Sequence, residues 1–150
     1  MLSLYNAPLD VPVILKEWYE EEATSNYGAY IPFVGTVRDE DGIDGLSFDI
    51  YEPILRKWFE AWQTKAAQRG AMVKMAHSSG DVMVRESSYI AAVFSPKRRV
   101  ALELIEEFVE DFKASAPIWK YDLKDGHRTY ALERSTAIKG SGLLSKGDKR

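Results

Sequence analysis

The sequence predicts one α+β domain with antiparallel sheets. Segments whose apolar residues recur at helical spacing alternate with pairs of short segments rich in aromatic and β-branched residues, in the order αββαββαββ. Turn-forming residues connect the two strands of a pair, which favours antiparallel hairpins. The 150 residues show no internal repeat and no convincing boundary, and this length fits a single domain.

The first helix and strand pair occupy the N-terminal third of the chain. Residues 13–22 place aliphatic and aromatic side chains at helical spacing and end in an acidic cluster. Residues 29–37 have the composition of a strand, and Pro32 predicts that it lies at an edge or contains a bulge. Two Asp-Gly pairs make residues 38–45 an acidic turn or loop. Alternation of apolar and polar side chains over residues 46–52 predicts a half-buried strand.

The second helix and its strand pair form the middle of the chain. Pro53 opens a helix that runs to about Arg69, and Gly70 stops it. Its aromatic residues share one face, as expected for a helix that packs on a core. Two strands follow, over residues 71–77 and 88–94, and a polar stretch joins them.

The third helix has a clear start signal. Ser95 is predicted to be its N-cap and Pro96 its first helical residue. The helix should end near residue 114, because Pro117 disfavours helix in the residue before it.

A final hairpin over residues 118–123 and 129–133 completes the domain. We place the limits of the catalytic domain at residues 1–138. Residues 139–150 are basic and rich in glycine and serine, so they are predicted to form a flexible C-terminal tail.

Composition excludes several classes of protein. Twenty Lys and Arg against 23 Asp and Glu give a net charge of −3, which argues against non-specific nucleic-acid binding. The absence of cysteine excludes disulfides, thiolate metal sites and persulfide carriers, and two histidines are too few for a histidine-rich metal site. We therefore predict no metal and no other cofactor, and His77, in an apolar strand, is interpreted as structural.

No apolar run reaches the roughly 18–20 residues that span a bilayer. The first residues also lack the basic and apolar regions of a secretory signal. The sequence is therefore expected to belong to a cytoplasmic protein that binds neither membrane nor nucleic acid.

Two lysines near the end of the third helix are candidates for chemistry. Lys113 lies beside the apolar stripe of the helix, and Lys120 follows seven residues later (120 − 113 = 7), between two aromatic residues of a strand. If they converge near aromatic walls, one could serve as a proton donor or a nucleophilic amine. A solvated helix end and an ordinary strand face remain the open alternative.

The third helix begins with three cations, Lys97, Arg98 and Arg99, where the helix dipole favours anions. They suggest a bound phosphate, although a solvated basic turn balanced by nearby glutamates is equally open. Arg98 lies 15 residues before Lys113 (113 − 98 = 15), about 22 Å along a helix. If both serve one small substrate, they must come from two subunits of a dimer. Arg38, which leaves a strand and enters a loop, is a further binding candidate.

Several short motifs, none decisive alone, are specific in their joint order and spacing. They are Phe33-Val34-Gly35-Thr36-Val37-Arg38, Tyr51-Glu52-Pro53, His77-Ser78-Ser79-Gly80-Asp81, Lys97-Arg98, Phe112-Lys113 and Ala116-Pro117-Ile118-Trp119-Lys120. Together they resemble the family of molybdopterin synthase catalytic (large) subunits, over the range from about Gly28 to Arg134.

The resemblance implies an α/β hammerhead-type fold and a central homodimer. A small ubiquitin-like sulfur-carrier subunit would bind at each end, making a heterotetramer. The carrier's C-terminal Gly-Gly, activated as a thiocarboxylate, would enter a pocket of the large subunit. Sulfur would then pass to cyclic pyranopterin monophosphate and form the dithiolene of molybdopterin. Sulfur that arrives on a partner also accounts for a sulfurtransferase without cysteine.

The resemblance further implies roles by position. Lys113 and Lys120 match the two catalytic lysines. The implied substrate-binding residues are Thr36, Val37, Arg38, Lys97, Arg98, Tyr121, Asp122 and Arg134. Lys97 stands where the family usually has histidine, so we expect it to hold a phosphate as a point charge and not to transfer protons.

One alternative belongs to a different class of protein. It is a non-catalytic dimeric module that binds a phosphorylated metabolite or a ubiquitin-like partner through the same basic cluster. This alternative predicts ligand binding without product and tolerance of Lys120→Ala. RNA binding through residues 97–99 and the basic tail is a weaker reading, because the acidic helices and the net charge oppose it.

Overall fold

A computed structural model describes residues 1–131, and within that range the chain forms three helices and eight strands. In chain order they are β1 (Leu2–Tyr5), α1 (Val11–Glu21), β2 (Ala29–Thr36), β3 (Gly45–Ile50), α2 (Glu52–Ala67), β4 (Met72–Ser78), β5 (Asp81–Met83), β6 (Ser87–Ser95), α3 (Arg98–Ser115), β7 (Ile118–Lys124) and β8 (His127–Tyr130). The predicted elements are all present, and β1 and β5 are additional. The end of the predicted strand 129–133 and the predicted tail 139–150 lie outside the described residues.

The strands form two four-stranded sheets. Sheet 1 has the order β1-β4-β6-β2, and sheet 2 has the order β5-β3-β7-β8. The β1–β4 pair is parallel and the other pairs are antiparallel, which confirms the predicted α+β class with antiparallel sheets. The edge position predicted from Pro32 is also confirmed, since β2 is an edge strand of sheet 1. An edge tolerates a residue without an amide hydrogen.

Sheet 1 is covered on both faces, and this explains why all nine residues of β6 are buried. One face packs against α2 and α3 through a core that contains Phe59, Leu104 and Phe108. The other face packs against α1 through Ile14 and Trp18. Successive residues of β6 alternate between these two cores, so the strand has an almost continuous apolar sequence.

The third helix begins later than predicted. Ser95 does not cap it, because Ser95 is the last residue of β6, paired with Ala29 of β2, and its hydroxyl donates to the carbonyl of Lys97. The helix starts at Arg98, and Lys97 is an extended N-cap without a side-chain hydrogen bond to the helix. The local signal was overridden by strand pairing, which continues through Ser95 and leaves Pro96 in the connection.

A carboxylate joins the two helices that cover sheet 1. Asp111, near the end of α3, accepts hydrogen bonds from the indole nitrogens of Trp58 (3.0 Å) and Trp62 (2.7 Å) on α2. Its other oxygen accepts from the hydroxyl of Ser115 (2.9 Å). A carboxylate near a helix C-terminus opposes the helix dipole, so these donors are needed to offset that cost. They also hold the last turn of α3 against α2.

Sheet 2 stands beside sheet 1 and contributes a smaller core formed by Val37, Phe48 and Val82. Phe48 contacts the ring of His77 on β4 edge to face, with ring centroids 5.0 Å apart, so the two sheets meet here. In residues 1–131, no helix is both long enough and apolar enough to cross a membrane.

Replacing Asp111 with alanine removes the shared acceptor of two indoles and a hydroxyl. Unpaired, half-buried donors carry a desolvation cost, so we expect the Asp111→Ala variant to lose about 2–3 kcal/mol of unfolding free energy. Urea unfolding followed by circular dichroism measures this loss. Glu110→Ala, at an exposed position of the same helix, is the matched control, and an equal loss in both variants would contradict the role of the Trp–Asp contact.

Candidate active site

A cleft of about 320 Å³ opens between the two sheets, beside the C-terminal end of α3. Its walls come from β2 and the loop after it, from β3, β4, β6 and β7, and from the last turns of α3. This volume is at the lower end of the range for small-molecule sites. The junction of the two sheets and α3 thus forms a concave site.

Five of the residues predicted from the sequence line this cleft. They are Thr36, Val37, Arg38, Lys113 and Lys120. Arg38 and Lys120 are 82 residues apart in sequence (120 − 38 = 82). The pairing of β3 with β7 and the packing of α3 bring them and Lys113 together. The two lysines, whose convergence the sequence left open, therefore line one cleft together with aromatic side chains.

The two lysines reach the cleft from different elements. Lys113 lies in the last turn of α3 and is exposed, whereas Lys120 lies in β7 opposite Phe48 and is half-buried. The chain between them leaves the helix at Ala116, which is extended, and Pro117 then leads into β7. This sharp change of direction lets side chains seven positions apart line one wall.

Arg38 enters the cleft from a loop whose start is held on both sides. The amide of Val37 donates to the carbonyl of Glu86 (2.9 Å), and the amide of Arg85 donates to the carbonyl of Val37 (2.7 Å). The guanidinium of Arg38 is exposed and forms an ion pair with Glu40 at 3.1 Å. An anchored backbone therefore presents a side chain that remains open to an anionic ligand.

The floor of the cleft is aromatic, and sequence reasoning missed it. Tyr89 stacks on Phe112 with ring centroids 4.2 Å apart, and Phe33 and His77 are also ring neighbours of Tyr89. The hydroxyl of Tyr89 is buried without a hydrogen-bond partner in the described part of the chain, and burial raises its pKa. The alternation of side chains that marks a half-exposed strand is absent from β4 and β6, so no pattern singled out their cleft-facing residues.

His77 is buried in this floor. Its Nδ1 lies 2.7 Å from the carbonyl oxygen of Ser78, a contact in which the ring is the donor. Burial lowers the pKa of the ring to about 4, against 6.5 for an exposed histidine, and outweighs the opposite effect of the hydrogen bond. His77 is therefore neutral near pH 7 and structurally satisfied, as interpreted from the sequence, although it also lines the cleft.

Lys97 and Arg98 lie elsewhere, at the opposite end of α3. They line a second, open cleft of about 540 Å³ together with Arg99, Pro96 and Gly28. Gly28 lies directly against the backbone of Pro96, since a Cβ on it would clash with the carbonyl oxygen of Pro96. The structure thus places the predicted anion-binding residues and the two lysines at the two ends of an 18-residue helix.

The remaining predicted residues do not line the lysine cleft. Tyr121 packs under the guanidinium of Arg128, 3.9 Å from the ring centroid, and against Tyr130. Asp122 is paired with Leu46 in the β3–β7 ladder. Arg134 lies outside the described residues. Across residues 1–131, no group of three or more histidine and carboxylate side chains is arranged to hold a metal ion.

Comparisons with known proteins cover almost the whole chain. The MoaE protein family matches residues 4–115. The molybdopterin synthase catalytic subunit of Helicobacter pylori strain 26695 is 52% identical over 145 residues, which are 97% of this chain and 100% of that protein. Its counterpart from strain J99 is 46% identical over the same shares of both chains.

Solved structures give the same result. A chain in the complex of subunits 1 and 2 of the molybdopterin-converting factor from Helicobacter pylori 26695 has a TM-score of 0.90 and 52% identity, covering 95% of this chain and 98% of that one. Molybdopterin synthase from Staphylococcus aureus shares the fold, with a TM-score of 0.73 at 22% identity over 85% of this chain and 94% of that one.

The buried His77 makes stability depend on pH. Because its pKa is lower in the folded chain, the unfolded chain binds an extra proton between about pH 4 and 6.5. The stability from the neutral ring is therefore fully present above pH 6.5 and is lost as the pH falls toward 4. Between these limits we expect wild type to lose up to about 3 kcal/mol more than His77→Gln.

Urea unfolding at a series of pH values measures this difference. His127→Gln is the matched control, since His127 is exposed, and it should keep the wild-type slope of unfolding free energy against pH. An unchanged slope in His77→Gln would show that the buried ring does not carry the dependence.

Proposed function

The chain belongs to the MoaE family of molybdopterin synthase catalytic subunits, and on this premise we propose that the cleft between its two sheets is the sulfur-transfer site. The protein is a sulfurtransferase of molybdenum-cofactor biosynthesis. It transfers sulfur from the thiocarboxylated C-terminus of a small carrier subunit to cyclic pyranopterin monophosphate. The observation that carries the site assignment is the convergence of Arg38, Lys113 and Lys120 on one cleft.

The chain has no cysteine, so the sulfur has to arrive on a partner. The Helicobacter relative was solved as a complex of both subunits of the factor, which supports a carrier subunit as that partner. Glycine has no side chain, so the two glycines that end the carrier suit a chain end that must enter this cleft. Their carboxyl end meets the lysines at the cleft.

Lys113 and Lys120 divide the chemistry. The amine of Lys113 positions the carrier's terminal acyl group, or accepts it transiently as an amide, as the bond between acyl carbon and sulfur breaks. The sulfur stays bonded to the pterin substrate, and water releases the acyl group as the carrier's carboxylate. Lys120 lies in a strand and is half-buried. It acts as the general acid or base of the transfer, or stabilises the negative charge that develops on the acyl oxygen. The neutral aromatic floor behind them limits water, which strengthens these electrostatic interactions.

Phosphate binding requires a second subunit. Arg38, with Thr36 and Val37 at the end of β2, forms the local part of the substrate site. Lys97 and Arg98 come from the other subunit of a homodimer, because α3 separates them from the cleft of their own chain. Lys97 acts here as a point charge on phosphate. The resemblance also assigns substrate binding to Tyr121, Asp122 and Arg134, of which Tyr121 and Asp122 follow Lys120 in β7 but do not line the cleft of their own chain.

The catalytic domain extends over residues 1–138 in this proposal, and the protein works in the cytoplasm as a heterotetramer of two large and two carrier subunits. The absence of a membrane-crossing helix from residues 1–131 is compatible with that location.

Removal of the Lys113 amine tests the site. Purified protein, thiocarboxylated carrier and cyclic pyranopterin monophosphate are combined, and molybdopterin is detected as its fluorescent oxidised derivative. Lys113→Ala should reduce turnover at least about 100-fold, the scale of a lost catalytic group, while carrier binding stays near wild type. Lys120→Ala should also lose turnover, whereas full activity in that variant would favour a binding module.

A mixed dimer tests the shared site. Lys113→Ala and Arg98→Ala chains are each expected to be inactive alone. When they are co-expressed, half of the dimers are mixed and each mixed dimer has one intact site, so about a quarter of wild-type activity should return. Failure to recover activity in isolated mixed dimers would place both residues in the same subunit's site.

A further inference from the structure

One buried hydroxyl of the lysine cleft has no partner in the described fold. Tyr89 of β6 lines the cleft and is 7% exposed, and its phenol oxygen has no hydrogen-bond partner within residues 1–131. A buried polar group without a partner carries a desolvation cost, and native folds contain few such groups. A bound ligand that supplies an acceptor offsets this cost.

The ring that carries this hydroxyl is fixed by its neighbours. It stacks on Phe112 of α3 with ring centroids 4.2 Å apart, and the rings of Phe33 and His77 are each 5.8 Å away. Gly35 is the cross-strand partner of Tyr89, and a Cβ on Gly35 would lie 3.3 Å from the tyrosine side chain. The missing side chain at Gly35 therefore leaves the room that the ring occupies.

Charged and uncharged groups are separated in the cleft. Arg38 and Lys113 are exposed and Lys120 is half-buried, so the cations are placed for the anionic groups of a ligand. The floor is uncharged, because burial raises the pKa of Tyr89 and keeps its proton in place. A phenol that keeps its proton is a donor for an uncharged acceptor.

We propose that the hydroxyl of Tyr89 binds the uncharged end of the pterin substrate, by donating a hydrogen bond to a carbonyl oxygen or ring nitrogen of the heterocycle. This inference rests on the proposed function, which brings cyclic pyranopterin monophosphate to the cleft. The ring edge with these acceptors is remote from the phosphate and from the carbons that receive sulfur. The cations and the phenol thus hold opposite ends of one substrate, and Tyr89 is a substrate-binding residue that takes no part in the transfer.

Phe33 is the ring neighbour of Tyr89 that yields to an entering ligand. It is 40% exposed on the edge strand β2, whereas His77 is 2% exposed and Phe112 packs against the core between sheet 1 and the helices α2 and α3. Phe33 and Tyr89 both line the cleft, so a rotation of the Phe33 side chain opens the way to the phenol.

The Tyr89→Phe variant tests this inference, because it removes the hydroxyl and keeps the ring. In the sulfur-transfer assay, the KM for cyclic pyranopterin monophosphate should rise about threefold to tenfold, the scale of one uncharged hydrogen bond. The kcat should stay within about twofold of wild type, because the contact is equal before and during the transfer. Without substrate, the midpoint of thermal unfolding should be at least that of wild type, since the described fold offers the hydroxyl no partner. An unchanged KM, a loss confined to kcat or a lower midpoint would overturn the inference.

Tyr30→Phe is the matched control. The hydroxyl of Tyr30 is also buried without a partner in the described residues, but its ring stacks on Phe94 at the α1 face of sheet 1 and does not line the cleft. Its KM should stay at the wild-type value, and an equal rise in both variants would contradict the assignment.

Calorimetric titration of cyclic pyranopterin monophosphate without the carrier separates this inference from the proposed function. Weaker binding in Arg38→Ala reports on the proposed site as a whole. The ratio of the dissociation constants of Tyr89→Phe and Tyr30→Phe reports on the phenol alone, and it should be about threefold to tenfold. A ratio of one, with binding still dependent on Arg38, would overturn the role of Tyr89 and leave the proposed function intact.

Discussion

The packing of α3 on sheet 1 is the constraint on which the rest of the structure depends. Ala101, Leu104 and Phe108 are fully buried along its length, and Asp111 anchors its last turn to α2. A helix held at so many points cannot bend or slide by a turn without opening the core. Its two functional ends therefore stay apart, and the architecture of the proposed shared site follows from that separation.

The cleft at one end of α3 combines a charged rim with an uncharged floor. The rim contains the three cations and Glu40, whereas the floor contains aromatic rings, a neutral histidine and a buried phenol. A low-polarity floor increases the effect of the charges that lie against it, such as that of the half-buried Lys120. The site therefore depends on the apolar floor as well as on the charges at its rim.

The sequence was sufficient to predict the elements that have a strong apolar periodicity or a glycine or proline at their ends. Local patterns predicted the apolar stripes of the helices, the edge position of β2 and the location of Arg98 and Lys113 near opposite ends of α3. β1 and β5 were not, because one is a short strand that pairs in parallel with a distant partner and the other has only three residues. The start of α3 was misplaced because strand pairing through Ser95 overrode a local cap signal.

The same limit applies to the site. Residue types and spacing made Arg38, Lys113 and Lys120 candidates, and the family resemblance gave them roles. Tyr121 and Asp122 were included because they follow the motif in sequence, and they do not line the cleft. Tyr89 could not be selected, because β6 is buried on both faces and shows no alternation, and His77, in the buried strand β4, was interpreted only as structural. Glu40 sat in a loop whose acidic composition suggested only a turn.

The contact of Trp58 and Trp62 with Asp111 has an optical consequence. Two of the four tryptophans share one carboxylate that is two residues away from Lys113. Indole emission responds to the electric field and polarity around the ring, and this carboxylate is hydrogen-bonded to both indole nitrogens. The fluorescence of Trp58 and Trp62 on α2 should therefore report the arrangement of the last turn of α3 without any added dye.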